Sequence, residues 1–142
     1  MKILQVLPAL EQGGVERGTL EIAAALTAAG IPNAVASAGG RLVHALDELG
    51  VEHLTLPLDR KNPFVLRGCA KKLAEYCTAE GITLMHVRSR APAWAVKWAS
   101  EMCGVKWMAT FHGVCHLAPH LTVRNEALAL SAVIAKIPQV NE

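Results

Sequence analysis

Five times along this chain a short apolar run gives way, across a turn of glycine, proline or charged residues, to a stretch with helical periodicity. That alternation constrains the fold more than any other feature. The runs "KILQVLP", "NAVAS", "VEHLTLPL", "ITLMHV" and "VKWMAT" have strand length and are mostly aliphatic. Between them, sets such as Leu20, Ala23 and Leu26 recur at helical spacing. The units repeat at roughly 25 residues, which fits βαβ crossovers and a parallel sheet of about five strands. Right-handed crossovers then put helices on both faces, giving a doubly wound α/β sheet. The repeat belongs to the fold class, since the units share no sequence self-similarity of the kind that marks a solenoid.

Local punctuation supports each boundary. The first helix runs from about Val15 to Ala29, with Gly30 as its C′ residue and Pro32 as a stop. A helix through Leu42, Ala45, Leu46 and Leu49 ends at Gly50. Asn62 and Pro63 form an N-cap and N1 pair for a helix to about Glu80, with Gly81 behind it. Ser89 is positioned to cap the fourth helix, which Gly104 closes.

At 142 residues the chain can bury one real core. Hydrophobic residues at 52% and charged residues at 18% describe a folded protein rather than a disordered one. A formal net charge of +2 and sparse aromatics argue against a nucleic-acid partner. The apolar start before Pro8 is too short for a signal peptide, and no run approaches the ~20 residues of a spanning helix. Cys69, Cys77, Cys103 and Cys115 show no CxxC spacing and read as small apolar fillers in a reducing compartment.

Ligands of such sheets bind beyond the carboxyl ends of the strands. The segments expected there carry Arg17, Arg41, Arg60, Lys61, Arg88, Arg90 and His112. Guanidinium groups gathered on one edge of a near-neutral protein point to an anionic, phosphate-bearing ligand. The turn "EQGGVERGT" places Gly13 and Gly14 between the first strand and its helix, where backbone and helix N-terminus can approach an anion. Its spacing is neither G-x-G-x-x-G nor a Walker A loop, and no acid ends the second strand, which counts against a nicotinamide oxidoreductase. In "HVRSRAP", Arg88, Ser89 and Arg90 stand between a buried strand and a helix, suited to a phosphate or sugar hydroxyls, or to an ion pair with Asp59 or Glu16. His112 follows the fifth strand in "TFHG", a position that favours a functional histidine over one that merely packs. Cys115, His116 and His120 match no metal-site spacing, and no metal or cofactor is expected.

Together, "KILQVLPALEQGGVERGTLEIAAAL", "AGGRLVHALDELGVEH", "HVRSRAPAW" and "TFHG" resemble the N-terminal, Rossmann-like half of a GT-B glycosyltransferase of the family-4 (group 1) type. The resemblance is closest to bacterial members that build cell-envelope polysaccharide and lipopolysaccharide. It implies retaining transfer from a nucleotide-sugar to an anionic glycan or glycolipid acceptor, without an essential metal. It further implies a cytoplasmic enzyme, peripherally associated with the inner face of the membrane when intact. By resemblance, Gly13 and Gly14 lie against the donor diphosphate and acceptor, with Arg17 in the adjoining helical turn. Arg88, Ser89 and Arg90 serve acceptor recognition, and His112 is the active-site residue near the transferred sugar.

The resemblance spans residues 1–114, expected to form the acceptor-side domain. Residues 115–142 form a divergent tail, with a helix expected through Asn125 to Lys136. The family's donor-binding half, with its pair of glutamates, has no counterpart in the sequence. Such a loss of resemblance is what truncation or a shifted reading frame produces, and the isolated chain is expected to be inactive. A non-catalytic sugar- or phosphate-binding module using the same edge is the alternative.

Overall fold

A computed structural model describes residues 1–110. Its elements alternate strictly in the order β1 (Ile3–Val6), α1 (Gly14–Ala28), β2 (Asn33–Ser37), α2 (Val43–Leu49), β3 (Glu52–Thr55), α3 (Pro63–Glu80), β4 (Leu84–Arg88), α4 (Arg90–Cys103) and β5 (Lys106–Thr110). The five strands form one sheet in the order β3-β2-β1-β4-β5, every pairing parallel. The doubly wound α/β fold expected from the alternation is the fold observed.

The order follows from the crossovers. β1 to β3 progress toward one edge, and α3 then carries the chain back across the sheet to set β4 on the other side of β1. The winding direction therefore reverses between β1 and β4. A crevice opens at such a reversal, because the loops that follow the two strands diverge to opposite faces.

Strand alternation divides the core in two. Leu4, Val6, Met85 and Val87 pack with α3 and α4 on one face, where Leu73, Cys77 and Val96 are fully or almost fully buried. Leu7, Val35 and Ala23 pack with α2's Leu46 on the other. Cys69 and Cys77 fill the first layer as free thiols, and burial beside Cys103 pushes the Cys77 thiol up to about 12.

The helix ends follow their local signals. Asn62 accepts from the Phe64 amide at 2.9 Å, ahead of Pro63. Gly50, Gly81 and Gly104 each cap a helix in the left-handed region, which costs a residue without Cβ little. β3 is shorter than its apolar pattern, yet Leu56 and Leu58 beyond it are buried. Among the described residues, no helix is long and apolar enough to cross a membrane.

Candidate functional site

The loop after β1 and the end of β4 flank the β1–β4 crevice. Gly13 precedes α1 with φ +146°, a conformation that suits glycine, and no side chain caps the helix there. A Cβ at Gly13 would meet the Glu16 carboxylate at 2.7 Å, so Glu16 folds back over the loop. Gly13 and Gly14 are both exposed, and nothing lies within 4 Å of a Cβ built on Gly14. The first amides of α1 have no acceptors within the helix, leaving a positive end that the first-turn acid Glu16 partly offsets.

The loop is held from the side. Leu10 N–H donates to the Gly39 carbonyl and Leu42 N–H to the Leu10 carbonyl, both at 2.9 Å. Gly40, at φ +146°, approaches so closely that a Cβ would stand 2.5 Å from the Leu10 carbonyl oxygen. Arg41 donates to the Glu11 carbonyl at 3.3 Å and to the Gln12 side-chain oxygen. This arginine braces the glycine loop with the groups that the sequence suggested for a ligand.

Arg88 closes β4 and is 4% exposed. Its Nη2 donates to Gln5 Oε1 at 3.2 Å, and Gln5 Nε2 donates to the Thr19 carbonyl of α1 at 3.1 Å. Its Nη1 lies 3.7 Å from where a Cβ on Gly18 would stand, which puts the guanidinium beneath α1. Arg88 Nε is buried with no hydrogen-bond partner. The ion pairs among the described residues are Lys2–Glu80 and Lys97–Glu101, so neither Asp59 nor Glu16 neutralises Arg88. Burial lowers the pKa of Arg88 from its ordinary value, yet a guanidinium starts so high that it stays charged. An unneutralised cation thus lies under α1, about one turn into the helix.

Ser89 joins β4 to α4 in a single residue with φ +107°, the one non-glycine with positive φ among the described residues. Its hydroxyl makes no capping bond, contrary to the expectation from sequence, because this backbone conformation is not the extended one that an N-cap adopts. Arg90 and Arg17 are exposed, and Arg17 N–H closes the first turn of α1 on the Gly13 carbonyl at 3.1 Å. Arg60 and Lys61 lie exposed before α3. Beside the crevice, Ser37 Oγ is 2.6 Å from His53 Nε2 and accepts from Gly39 N–H at 3.0 Å, while Thr55 Oγ1 is 3.3 Å from His53 Nδ1. A neutral imidazole suits the two hydroxyls, donating to one and accepting from the other. Burial lowers the His53 pKa, with Asp47 opposing.

Topology brings Gly13, Gly14 and Arg17 to one side of the crevice and Arg88, Ser89 and Arg90 to the other. His112, Cys115, His116 and His120 lie outside the described residues. Sequence reasoning passed over Gln5, whose only signal is a polar residue inside a buried apolar run. It also gave no special role to Gly40, which locks two loops together.

A profile of Glycosyltransferase Family 4 matches residues 12–136. The chain belongs to this family. A solved glycosyltransferase from Rickettsia africae ESF-5 is 43% identical, with a TM-score of 0.74; the match covers 82% of this chain and 31% of that one. This chain therefore spans less than a third of that enzyme's length. MurG from Acinetobacter baumannii superposes with a TM-score of 0.64 at 15% identity, over 92% of this chain and 39% of MurG. The C-terminal domain of a Pyrococcus furiosus hydrogenase matches at 0.58 and 21% identity, over 77% and 90% of the two chains. The last two likenesses speak for the fold alone. No curated protein matches the chain. The Rossmann-like GT-B half-domain and the glycosyltransferase family expected from the resemblance are both found.

Proposed function

We propose that this chain supplies the acceptor-side half of a retaining glycosyltransferase. The intact enzyme would move a sugar from a nucleotide-sugar donor to a cell-envelope polysaccharide or lipopolysaccharide acceptor, in the cytoplasm. The observation that carries the reading is Arg88: a buried guanidinium without a carboxylate, beneath α1 at Gly18, about one turn into the helix that opens at the exposed Gly13 and Gly14. A buried cation is costly unless something neutralises it, and an incoming diphosphate does so. In this reading Gly13 and Gly14 let the diphosphate approach the α1 amides, and Arg88 stabilises its charge from below. Arg17 and Arg90 face the acceptor with exposed donors beside the half-buried Ser89, and His112 orders a hydroxyl of the transferred sugar.

Transfer needs the opposing donor-binding half, because a one-sided cleft neither excludes water nor aligns two substrates. The purified chain should bind inorganic pyrophosphate weakly and turn over little or no nucleotide-sugar. Amide chemical-shift mapping with pyrophosphate, against chloride at matched ionic strength, tests this. Shifts are expected at Gly13, Gly14 and Ser89 and are lost in Arg88→Met. Shifts confined to other surfaces, or robust turnover by the chain alone, would overturn the reading.

A further inference from the structure

Strand alternation turns Leu4, Val6, Met85, Val87 and Ala109 toward α3 and α4. It therefore turns Gln5, His86, Arg88 and Thr110 to the opposite face, the one that carries α1. The inner face of a parallel sheet is ordinarily aliphatic, yet these four side chains are polar and all are buried. The register sets Gln5 beside His86 and Arg88 beside Thr110, and His86 Nε2 lies 2.7 Å from Thr110 Oγ1. The four bring together a guanidinium, an imidazole, a carboxamide and a hydroxyl, but no carboxylate.

The carboxamide is the informative member. Gln5 faces an N–H donor on one side and a carbonyl on the other: Arg88 Nη2 at 3.2 Å and the Thr19 oxygen of α1 at 3.1 Å. A glutamate here would accept from the guanidinium at least as well, as a charge-assisted pair, but would set a carboxylate oxygen against the Thr19 carbonyl. It would also cancel the positive charge. With glutamine in place, burial lowers the Arg88 pKa and no carboxylate raises it. The guanidinium is oriented without being neutralised, and its Nε has no acceptor.

We infer, building on the transferase reading, that Gln5 is the positioning residue that sets the charge of the crevice: it fixes the Arg88 guanidinium under α1 and leaves its positive charge for a multiply charged anion such as a diphosphate. The neutrality of Gln5 is then the selected property. A unit charge in the low-dielectric interior acts across the width of a helix, so the field a ligand meets depends on whether the neighbour of Arg88 is an amide or an acid.

The test uses the full chain and two readouts. Pyrophosphate is titrated into the wild type, Gln5→Glu and Gln5→Met, followed by amide shifts. Gln5→Glu should bind at least about tenfold more weakly, because one positive charge facing a multiply charged anion is cancelled. Gln5→Met loses both hydrogen bonds and adds no charge, and should weaken binding far less. The second readout is melting temperature, with Gln5→Glu made in the wild-type and Arg88→Met backgrounds. At pH 7.5 the substitution should cost several degrees more without Arg88 than with it, since the guanidinium is what receives the buried carboxylate. Equal losses in the two backgrounds overturn the proposal, because Arg88 is then already neutralised; so does a Gln5→Glu chain that fails to fold with Arg88 present. Unchanged pyrophosphate binding by Gln5→Glu, or equal weakening by Gln5→Met, overturns it as well. A wild type that ignores pyrophosphate while the melting difference stands counts against the proposed function alone, for the uncancelled charge is then demonstrated without that ligand.

Discussion

Arg88 and Gln5, 83 residues apart in sequence, meet on adjacent strands: the guanidinium donates to the amide oxygen at 3.2 Å while its Nε finds no partner. Through its own amide nitrogen, Gln5 also holds α1 at the Thr19 carbonyl. The pair therefore sets both the cation and the helix above it.

Gln5→Leu removes the guanidinium's acceptor and should destabilise the fold by about 2–3 kcal/mol, as expected for a hydrogen bond to a buried charge. Adding Arg88→Met removes the stranded charge, so the double variant should be more stable than Gln5→Leu alone. Urea denaturation measures both. Simple additivity of the two losses would mean that neither side chain depends on the other.

Two glycines of the site should respond oppositely to alanine. Gly40→Ala forces a Cβ against the Leu10 carbonyl at a positive φ and should cost at least about 2 kcal/mol. Gly14→Ala meets nothing within 4 Å inside α1 and should stabilise by about 0.5–1 kcal/mol, the ordinary helix preference. The same methyl should weaken the pyrophosphate response. Thermal melts and titrations of both variants separate loop packing from ligand approach.

Ser89 holds a backbone angle of φ +107° that glycine adopts freely. Ser89→Gly should stabilise the chain by about 1 kcal/mol by relieving strain. A hydroxyl serving the acceptor would be lost at the same time. A destabilised Ser89→Gly in a melting experiment would show that the side chain supports the turn.

His53 gives the fold a pH dependence of known sign. Burial holds its folded pKa below the unfolded value of 6.5. Folding thus favours the neutral ring, its contribution is fully present above that pH, and it is lost as pH falls through the folded pKa. Between pH 7.5 and 5.5 the wild type should lose more melting temperature than His53→Gln. Equal losses would assign the dependence to other groups.

The fold was legible because its punctuation is local: Asn62 before Pro63, and Gly50, Gly81 and Gly104 behind their helices, act within a few residues of themselves. The polar wiring of the site was not, because it depends on distant partners. Gln5 reads as a flaw in a strand until Arg88 is placed beside it. Arg41 reads as one more ligand-edge cation until Gln12 and the Glu11 carbonyl take its donors. Ser89 carried a sound capping signal, and the one-residue connection between β4 and α4 overrode it.

The parallel pairing of β1 with β4, which joins Ile3 to Leu84, has a bearing on synthesis. β1, β2 and β3 connect near neighbours and can assemble as they emerge from the ribosome. The crevice cannot, since its second wall waits for a strand more than 70 residues further along the chain, and that closure is among the slower steps of assembly. Until then Gln5 faces α1 without its arginine, so an arrested or prematurely released product would carry the glycine loop but no cation beneath it.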